Sequence, residues 1–412
     1  MASLVRVPIK RNPHYKRDGL KSYVYLLNKY NIKPTLRGPY SAAKGASKLI
    51  KQNADGSSGE VTATDQQNDS LYTCPVAIGT PAQTLNLDFD SGSSDLWCWS
   101  TELSKSTQSA GKGHTIFDSS KSSTFKTSSG STWQIQYGDS SSASGTVGTD
   151  NIKIGSITVK NQAIELANKL SSQFTSDASS DGLLGLAWGS INTVKPTAVK
   201  TPVENMIAQD DIPSSAELFT VYLGSIKDAN EESFYTFGEI DESMVPSGSS
   251  IAYTPVDNSQ GFWTFDSTSA SVNGKTIQLS GNTAIADTGT TLLLTSDSVC
   301  EAIYGAIPGA KQDTTQQGWV FPANTAESDL PTVTFMVGDT PITIEKEHFA
   351  FAGGADGSMV YGGIQSRGDQ DFDIFGDTFL QNVYAVFDVG NTRFGVVQRA
   401  APTSTSSAKS EL

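Results

Sequence analysis

Leu85-Asn86-Leu87-Asp88-Phe89-Asp90-Ser91-Gly92-Ser93-Ser94 is an apolar strand pattern that ends in an acid, a hydroxyl residue, a glycine and a second hydroxyl residue. Ala284-Ile285-Ala286-Asp287-Thr288-Gly289-Thr290-Thr291 ends the same way, 197 residues further on, and runs into Leu292, Leu293 and Leu294. One Asp-Ser-Gly turn is common and decides nothing. Two, each closing an apolar strand, point to a duplicated unit. The downstream context repeats too: Gly182-Leu183-Leu184-Gly185-Leu186 follows the first motif, and Ile374-Phe375-Gly376-Asp377 follows the second at a similar distance. The pattern implies two homologous lobes, each with a glycine-closed strand that supports an aspartate-bearing loop.

The rest of the chain fits that reading. With 412 residues it has room for two ordinary cores. Short Val-, Ile-, Thr- and Tyr-rich runs between Ser- and Gly-rich turns predict a mainly β protein. No run of about 18 apolar residues is present, so no membrane-spanning helix is expected. Cys74, Cys98 and Cys300 allow one disulfide at most, and their spacing, with His14, His114 and His348 far apart, is unlike a zinc site. No metal or other cofactor is expected.

Charge divides the chain. Residues 1–53 hold 12 of the 29 Lys and Arg but a single acid, Asp18; they carry +11 against a chain total of −14, which leaves −25 for the remainder. A basic arm of this kind reads either as a nucleic-acid contact or as an electrostatic clamp on the acidic body, released when acid neutralises the carboxylates. Leu4, Val5, Val7 and Ile9 predict a strand, and Leu20, Tyr23, Val24, Leu26, Leu27 and Tyr30 a helix, ended by Pro34, Gly38 and Pro39. The polar stretch from Lys51 to Asn68, with Gly56-Ser57-Ser58-Gly59, is a natural proteolytic boundary.

Taken in order, Tyr72 to Pro81, Asp90 to Trp97, Trp133 to Asp139, Asp181 to Ala187, Ser190 to Val194 and Asp287 to Thr291 resemble the fungal branch of the pepsin family of aspartic proteases, and Leu4 to Ile9 resembles its prosegment. The resemblance covers nearly the whole chain up to Pro402. It implies a bilobal β fold with a cleft between the lobes: an inhibitory prosegment over 1–53, a first lobe over 54–245, a second over 246–401, and a disordered tail over 402–412. It implies an aspartic endopeptidase made as a zymogen, acting at acid pH on protein or peptide substrates, monomeric, with no nucleic-acid or membrane partner.

Residue by residue, the resemblance makes Asp90 and Asp287 the catalytic pair. Ser93 and Thr290 bond their outer oxygens, Gly92 and Gly289 allow close approach, and Ser91 and Thr288 bond across the lobe junction. Tyr137, Gly138, Asp139 and Ser141 belong to a flap over the substrate, with Trp97 bonding the Tyr137 hydroxyl. Ser91 stands where the family usually has Thr, which costs a methyl group and keeps the hydroxyl. Large apolar residues are expected on both sides of the cut, and Asp139 and Ser141 match the fungal pair that also accepts lysine before it. Arg37, by its distance from Pro34, matches the family's blocking lysine, with Lys33 and Lys44 as alternatives. Cys300 lacks its usual partner, since Trp319 to Asn324 contains no cysteine, and is expected as a free thiol; Cys74 and Cys98 are expected as buried packing.

A noncatalytic pepsin-like binding protein is the alternative, though such relatives usually lose an aspartate or the flap tyrosine. A glycosidase also works with two carboxyls, but that class does not account for the duplicated loops. Met1 to Arg11 lacks the apolar core of a secretory signal. The prosegment favours a secreted protein whose leader is absent from this sequence over an intracellular or vacuolar one. Asn68-Asp69-Ser70 and the closing Lys409 to Leu412 are weak addresses by themselves.

Overall fold

Strand Gln83–Asp90 buries Leu85 and Leu87 and becomes continuously buried as it nears Asp90, as expected of a strand that enters a core. It lies in an eight-stranded sheet ordered Lys10–Arg11, Tyr72–Ile78, Gln83–Asp90, Gly182–Gly185, Leu96–Trp99, Ile157–Leu170, Ser142–Ile154, Lys126–Gln136. This is the computed structural model of the chain, which describes residues 4–11, 15–42, 49–52, 58–60, 72–136, 142–171, 174–175, 180–224, 231–354 and 357–400.

The two glycine-closed strands play the same part in each lobe. Gly182–Gly185 runs parallel to Gln83–Asp90, with Gly185 opposite Asp90, and antiparallel to Leu96–Trp99. Phe372–Phe375 runs parallel to Thr283–Ala286, with Phe375 opposite Ala286, and antiparallel to Leu293–Thr295. Glycine is needed at both closures because backbone passes over them. A Cβ on Gly185 would stand 2.4 Å from Ser94 Cα, and one on Gly376 2.2 Å from the Thr290 carbonyl oxygen. The second lobe's central sheet is ordered Thr264–Asp266, Thr283–Ala286, Phe372–Phe375, Leu293–Thr295, Ile364–Ser366.

A six-stranded sheet joins the lobes: Val7–Pro8, Phe234–Phe237, Leu218–Tyr222, Val383–Asp388, Arg393–Gln398, Ala252–Pro255. Its strands come from the leader, from 218–237, from 252–255 and from 383–398, so distant parts of the chain share one sheet. Cys74, Cys98 and Cys300 are all buried and unbridged, and sit in the apolar core. Burial pushes all three thiols up and keeps them neutral.

The basic leader folds onto this body. Val7 pairs with Tyr235 at the edge of the joining sheet, while Arg6 bonds Asp241 (2.6 Å) and Glu232 (3.2 Å) and stacks on Phe234. Helix Gly19–Lys29 starts at Asp18, whose side chain accepts from Lys21 N–H. It packs Tyr23, Val24, Leu26 and Leu27 against Leu292, Leu294, Val320, Phe351, Tyr361 and Ile374 of the second lobe. Each buried Leu or Val there contributes roughly 1.5–3 kcal/mol of transfer free energy, so apolar burial holds the leader as much as charge does. Beyond the helix, Gln317 is fully buried and brackets Tyr40, accepting from its N–H and donating to its carbonyl, both at 2.7 Å. Most of the expected boundary from Lys51 to Asn68, the tail over 402–412, and Lys44 lie outside the described residues.

Candidate active site

Asp90 and Asp287 meet at the lobe junction, each at the end of its own central strand. Asp90 is 2% exposed and Asp287 fully buried. Gly92 N–H donates to Asp90 Oδ1 (2.8 Å) and Ser93 Oγ to Asp90 Oδ2 (2.6 Å). In the other lobe Gly289 N–H donates to Asp287 Oδ1 (3.0 Å), and the Thr290 hydroxyl bonds Asp287 Oδ2. The two aspartates therefore have the same set of donors, as the repeated motif requires.

Ser91 and Thr288 lock the loops to each other. Ser91 N–H donates to Thr288 Oγ1 (3.0 Å) and Thr288 N–H to Ser91 Oγ (2.9 Å). Each hydroxyl then donates across the junction, Ser91 to the Ala286 carbonyl (2.9 Å) and Thr288 to the Phe89 carbonyl (2.6 Å). The missing methyl at Ser91 removes none of these bonds.

A cation occupies the pair. Lys29, at the end of the leader helix, places Nζ 3.1 Å from Asp90 Oδ1, 3.0 Å from Asp287 Oδ2 and 3.1 Å from the Gly289 carbonyl. Tyr30 donates its hydroxyl to Asp287 Oδ2 at 2.5 Å, with its ring between Phe262 and Phe372. This corrects the expectation for Arg37. That side chain is exposed, and its carbonyl accepts from Gln312 Nε2 (3.1 Å). The helix axis already carries Lys29 into the junction, and by Lys33 the chain has moved out over the second lobe, where Lys33 faces Asp369. Lys29 had a signature in the sequence: it shares a helical face with Ser22 and Leu26, so its charge had to be met inside.

Burial would push the Lys29 ammonium down, but Asp287 and Asp90 outweigh it and hold it well above its usual range. Burial pushes Asp90 up against the pull of Lys29. Asp287, though burial acts on it the same way, is drawn below the usual carboxylate range by Lys29 and by bonds from Asp90, Thr290 and Tyr30. The pair therefore splits into one group that takes a proton readily and one that resists it, and the titration belongs to the pair.

Trp97 stacks on Trp133 (5.9 Å between centroids) and meets Phe174 edge-on, and its buried Nε1 has no acceptor among the described residues. Tyr137, Gly138, Asp139 and Ser141 lie outside the described residues. The strands on either side of them pair as a hairpin, with Gln136 opposite Ser142.

The sequence model of the eukaryotic aspartyl protease family matches residues 71–399. Endothiapepsin of Cryphonectria parasitica is 42% identical over 93% of this chain and 87% of its own length. Aspergillopepsin-1 of Aspergillus oryzae is 42% identical over 84% and 83%, and penicillopepsin-1 of Penicillium janthinellum 42% over 83% and 99%. With duplicated aspartate loops, a bilobal β fold and likeness of this extent, the chain belongs to the eukaryotic aspartyl protease family, among its fungal pepsin-like members.

Proposed function

We propose that the chain is the zymogen of an aspartic endopeptidase, with Asp90 and Asp287 as its catalytic pair and residues 1–53 as its inhibitory prosegment. The observation that carries this reading is the pair itself: two buried carboxyls from homologous loops, each held by its own hydroxyl and glycine N–H, facing one ammonium group.

With Lys29 and Tyr30 withdrawn, the same acceptors can hold a water molecule against a peptide carbonyl. The ionised carboxyl takes a proton from the water as its oxygen bonds the carbonyl carbon, and the protonated one gives its proton to the carbonyl oxygen. The resulting diol collapses when a proton reaches the amide nitrogen and the C–N bond breaks. Aspartic proteases are the standard illustration of two close carboxyls that cannot both ionise, which keeps one acid and one base available in the same site. Cleavage of an extended peptide at acid pH, blocked by a statine-type inhibitor and absent in Asp90→Asn, is the expected outcome. Full activity of the uncut chain at neutral pH would contradict the zymogen reading.

The close fit of the loops gives a further expectation. A Cβ on Gly289 would stand 2.3 Å from Asp90 Oδ1, so Gly289→Ala must push the carboxyls apart. Misplacement of about 1 Å costs roughly a hundredfold in rate. The loss in kcat should be at least that large, measured on acid-treated enzyme, while an activity within threefold of wild type would show that the carboxyl spacing is not critical.

Substrate preference rests on the flap residues. In a partly desolvated cleft an ionised Asp139 pairs with a lysine ammonium more strongly than at an open surface, with Ser141 as a second acceptor. Asp139→Thr should therefore lose cleavage after lysine about tenfold or more while keeping cleavage after phenylalanine. Paired peptides differing only at that residue decide it; equal losses on both would make Asp139 a turn residue.

A further inference from the structure

A second pair of carboxyl groups lies behind the first aspartate loop. Asp95 is 2% exposed and Glu165 fully buried. Neither carboxyl forms an ion pair with a basic side chain among the described residues. Asp95 directly follows the Asp90 loop, and Glu165 sits opposite Trp97 where Ile157–Leu170 pairs in parallel with Leu96–Trp99.

Asn192 joins the two acids to the loop. Its Nδ2 donates to Asp95 Oδ1 (3.0 Å), to Glu165 Oε1 (3.1 Å) and to the Ser94 carbonyl (3.3 Å). Its Oδ1 accepts from the N–H groups of Val194 (3.1 Å) and Val199 (3.0 Å), which can only donate, so the amide orientation is fixed by its partners. Asp95 Oδ1 also accepts from Thr193 N–H and Oγ1, both at 2.9 Å. Ser94 in turn bonds the Trp188 carbonyl (2.6 Å) and adjoins Ser93, whose hydroxyl holds Asp90.

The two carboxyls converge on Asn192 Nδ2 and lie within hydrogen-bonding reach of each other, and Glu165 Oε2 has no hydrogen-bond partner among the described residues. Two ionised carboxylates in contact away from water repel; a proton on one of them turns the contact into a strong bond. Burial, with the Asp95 charge and the bond to Asp95 behind it, pushes Glu165 well above the usual carboxylate range, against bonds from Asn192 and the Leu96 backbone. Burial raises Asp95 as well, opposed by bonds from Thr193 and Glu165. Cys98 also lies near Glu165, and the charges acting on that thiol among the described residues are Asp181, Glu165 and Glu102, all acids. We propose that Asp95 and Glu165 share one proton, and that this acid pair, acting through Asn192, positions the Asp90 loop and sets the upper pH limit of the first lobe independently of the catalytic pair.

The sign follows from proton counting. The unfolded chain releases this proton near the ordinary glutamate value, about 4.3, whereas the folded pair keeps it to higher pH. Above that value the folded state binds one more proton than the unfolded state, so stability falls as pH rises. The limit for one proton is about tenfold in the unfolding constant per pH unit.

The test is urea unfolding of the full chain between about pH 5.5 and 7.5, followed by tryptophan fluorescence. Relative to wild type, Glu165→Gln should rise in unfolding constant up to about tenfold less per pH unit. Asp95→Asn should flatten the dependence equally, because an amide can donate to an ionised Glu165 without a shared proton. The double substitution should flatten it no further, since the pair holds one proton. If Glu165→Gln fails to fold, Asp95→Asn carries the comparison. Wild-type slopes in a folded variant, or slopes that add in the double substitution, would overturn the proposal.

Discussion

Lys29→Met is expected to free the active site from its own leader at a pH where the wild-type chain stays closed. Removing one partner of a buried charge pair costs about 3–5 kcal/mol, and with Asp90 ready to take a proton in compensation the lower end applies, roughly a hundredfold in the closed-to-open ratio. The pH dependence has a definite sign. Asp287 is held below the ordinary carboxylate range in the folded chain, so its contribution to closure is complete above that range and is lost as pH falls through its depressed value. Without Lys29 that depression is largely removed, and conversion should begin about one pH unit higher. Mass analysis of the chain after incubation across pH 3–7 reads the midpoint. An unchanged midpoint would mean that apolar packing of helix Gly19–Lys29, not the charge contact, keeps the leader in place.

The second large effect concerns the carboxyl pair. Asp90→Asn and Asp287→Asn should each lower kcat by about ten-thousandfold or more, since each removes one of the two proton-transfer partners and unbalances the other. The double substitution should be no worse than either single one, because groups that act as a unit are not additive. These measurements need enzyme from which residues 1–53 have been removed by another protease, as neither variant is expected to convert itself. Losses that multiply would indicate two independent roles rather than one shared proton.

Much of this was legible in the sequence because it repeats. Asp90 and Asp287 end strands whose alternation and glycine-closed partners appear twice, and a duplicated pattern fixes two loops at once. Cys300 is unbridged, as the lack of a cysteine in Trp319 to Asn324 implies, and Cys74 and Cys98 are the buried packing expected of them. The blocking residue did not follow, because Arg37 was placed by distance from Pro34, whereas Lys29 is set by where a helix packs. That packing depends on Leu294, Val320, Phe351 and Tyr361, which lie far away in the chain. Gln317 was invisible for the same reason: a polar residue in a turn looks ordinary until the backbone it brackets is in place. The Asp95–Glu165 pair is set by the parallel pairing of strands well separated in sequence, which no local spacing reports.

The most direct test of the whole account is the binding of a statine-containing peptide to the intact chain near pH 6.5 and again after acid treatment. No binding is expected before treatment, because Lys29 and Tyr30 occupy Asp90 and Asp287. After release of a fragment ending between about Lys51 and Gly59, one inhibitor should bind per chain and peptide cleavage should be lost completely. Equal binding to the intact chain, or cleavage that persists at saturating inhibitor, would contradict that expectation.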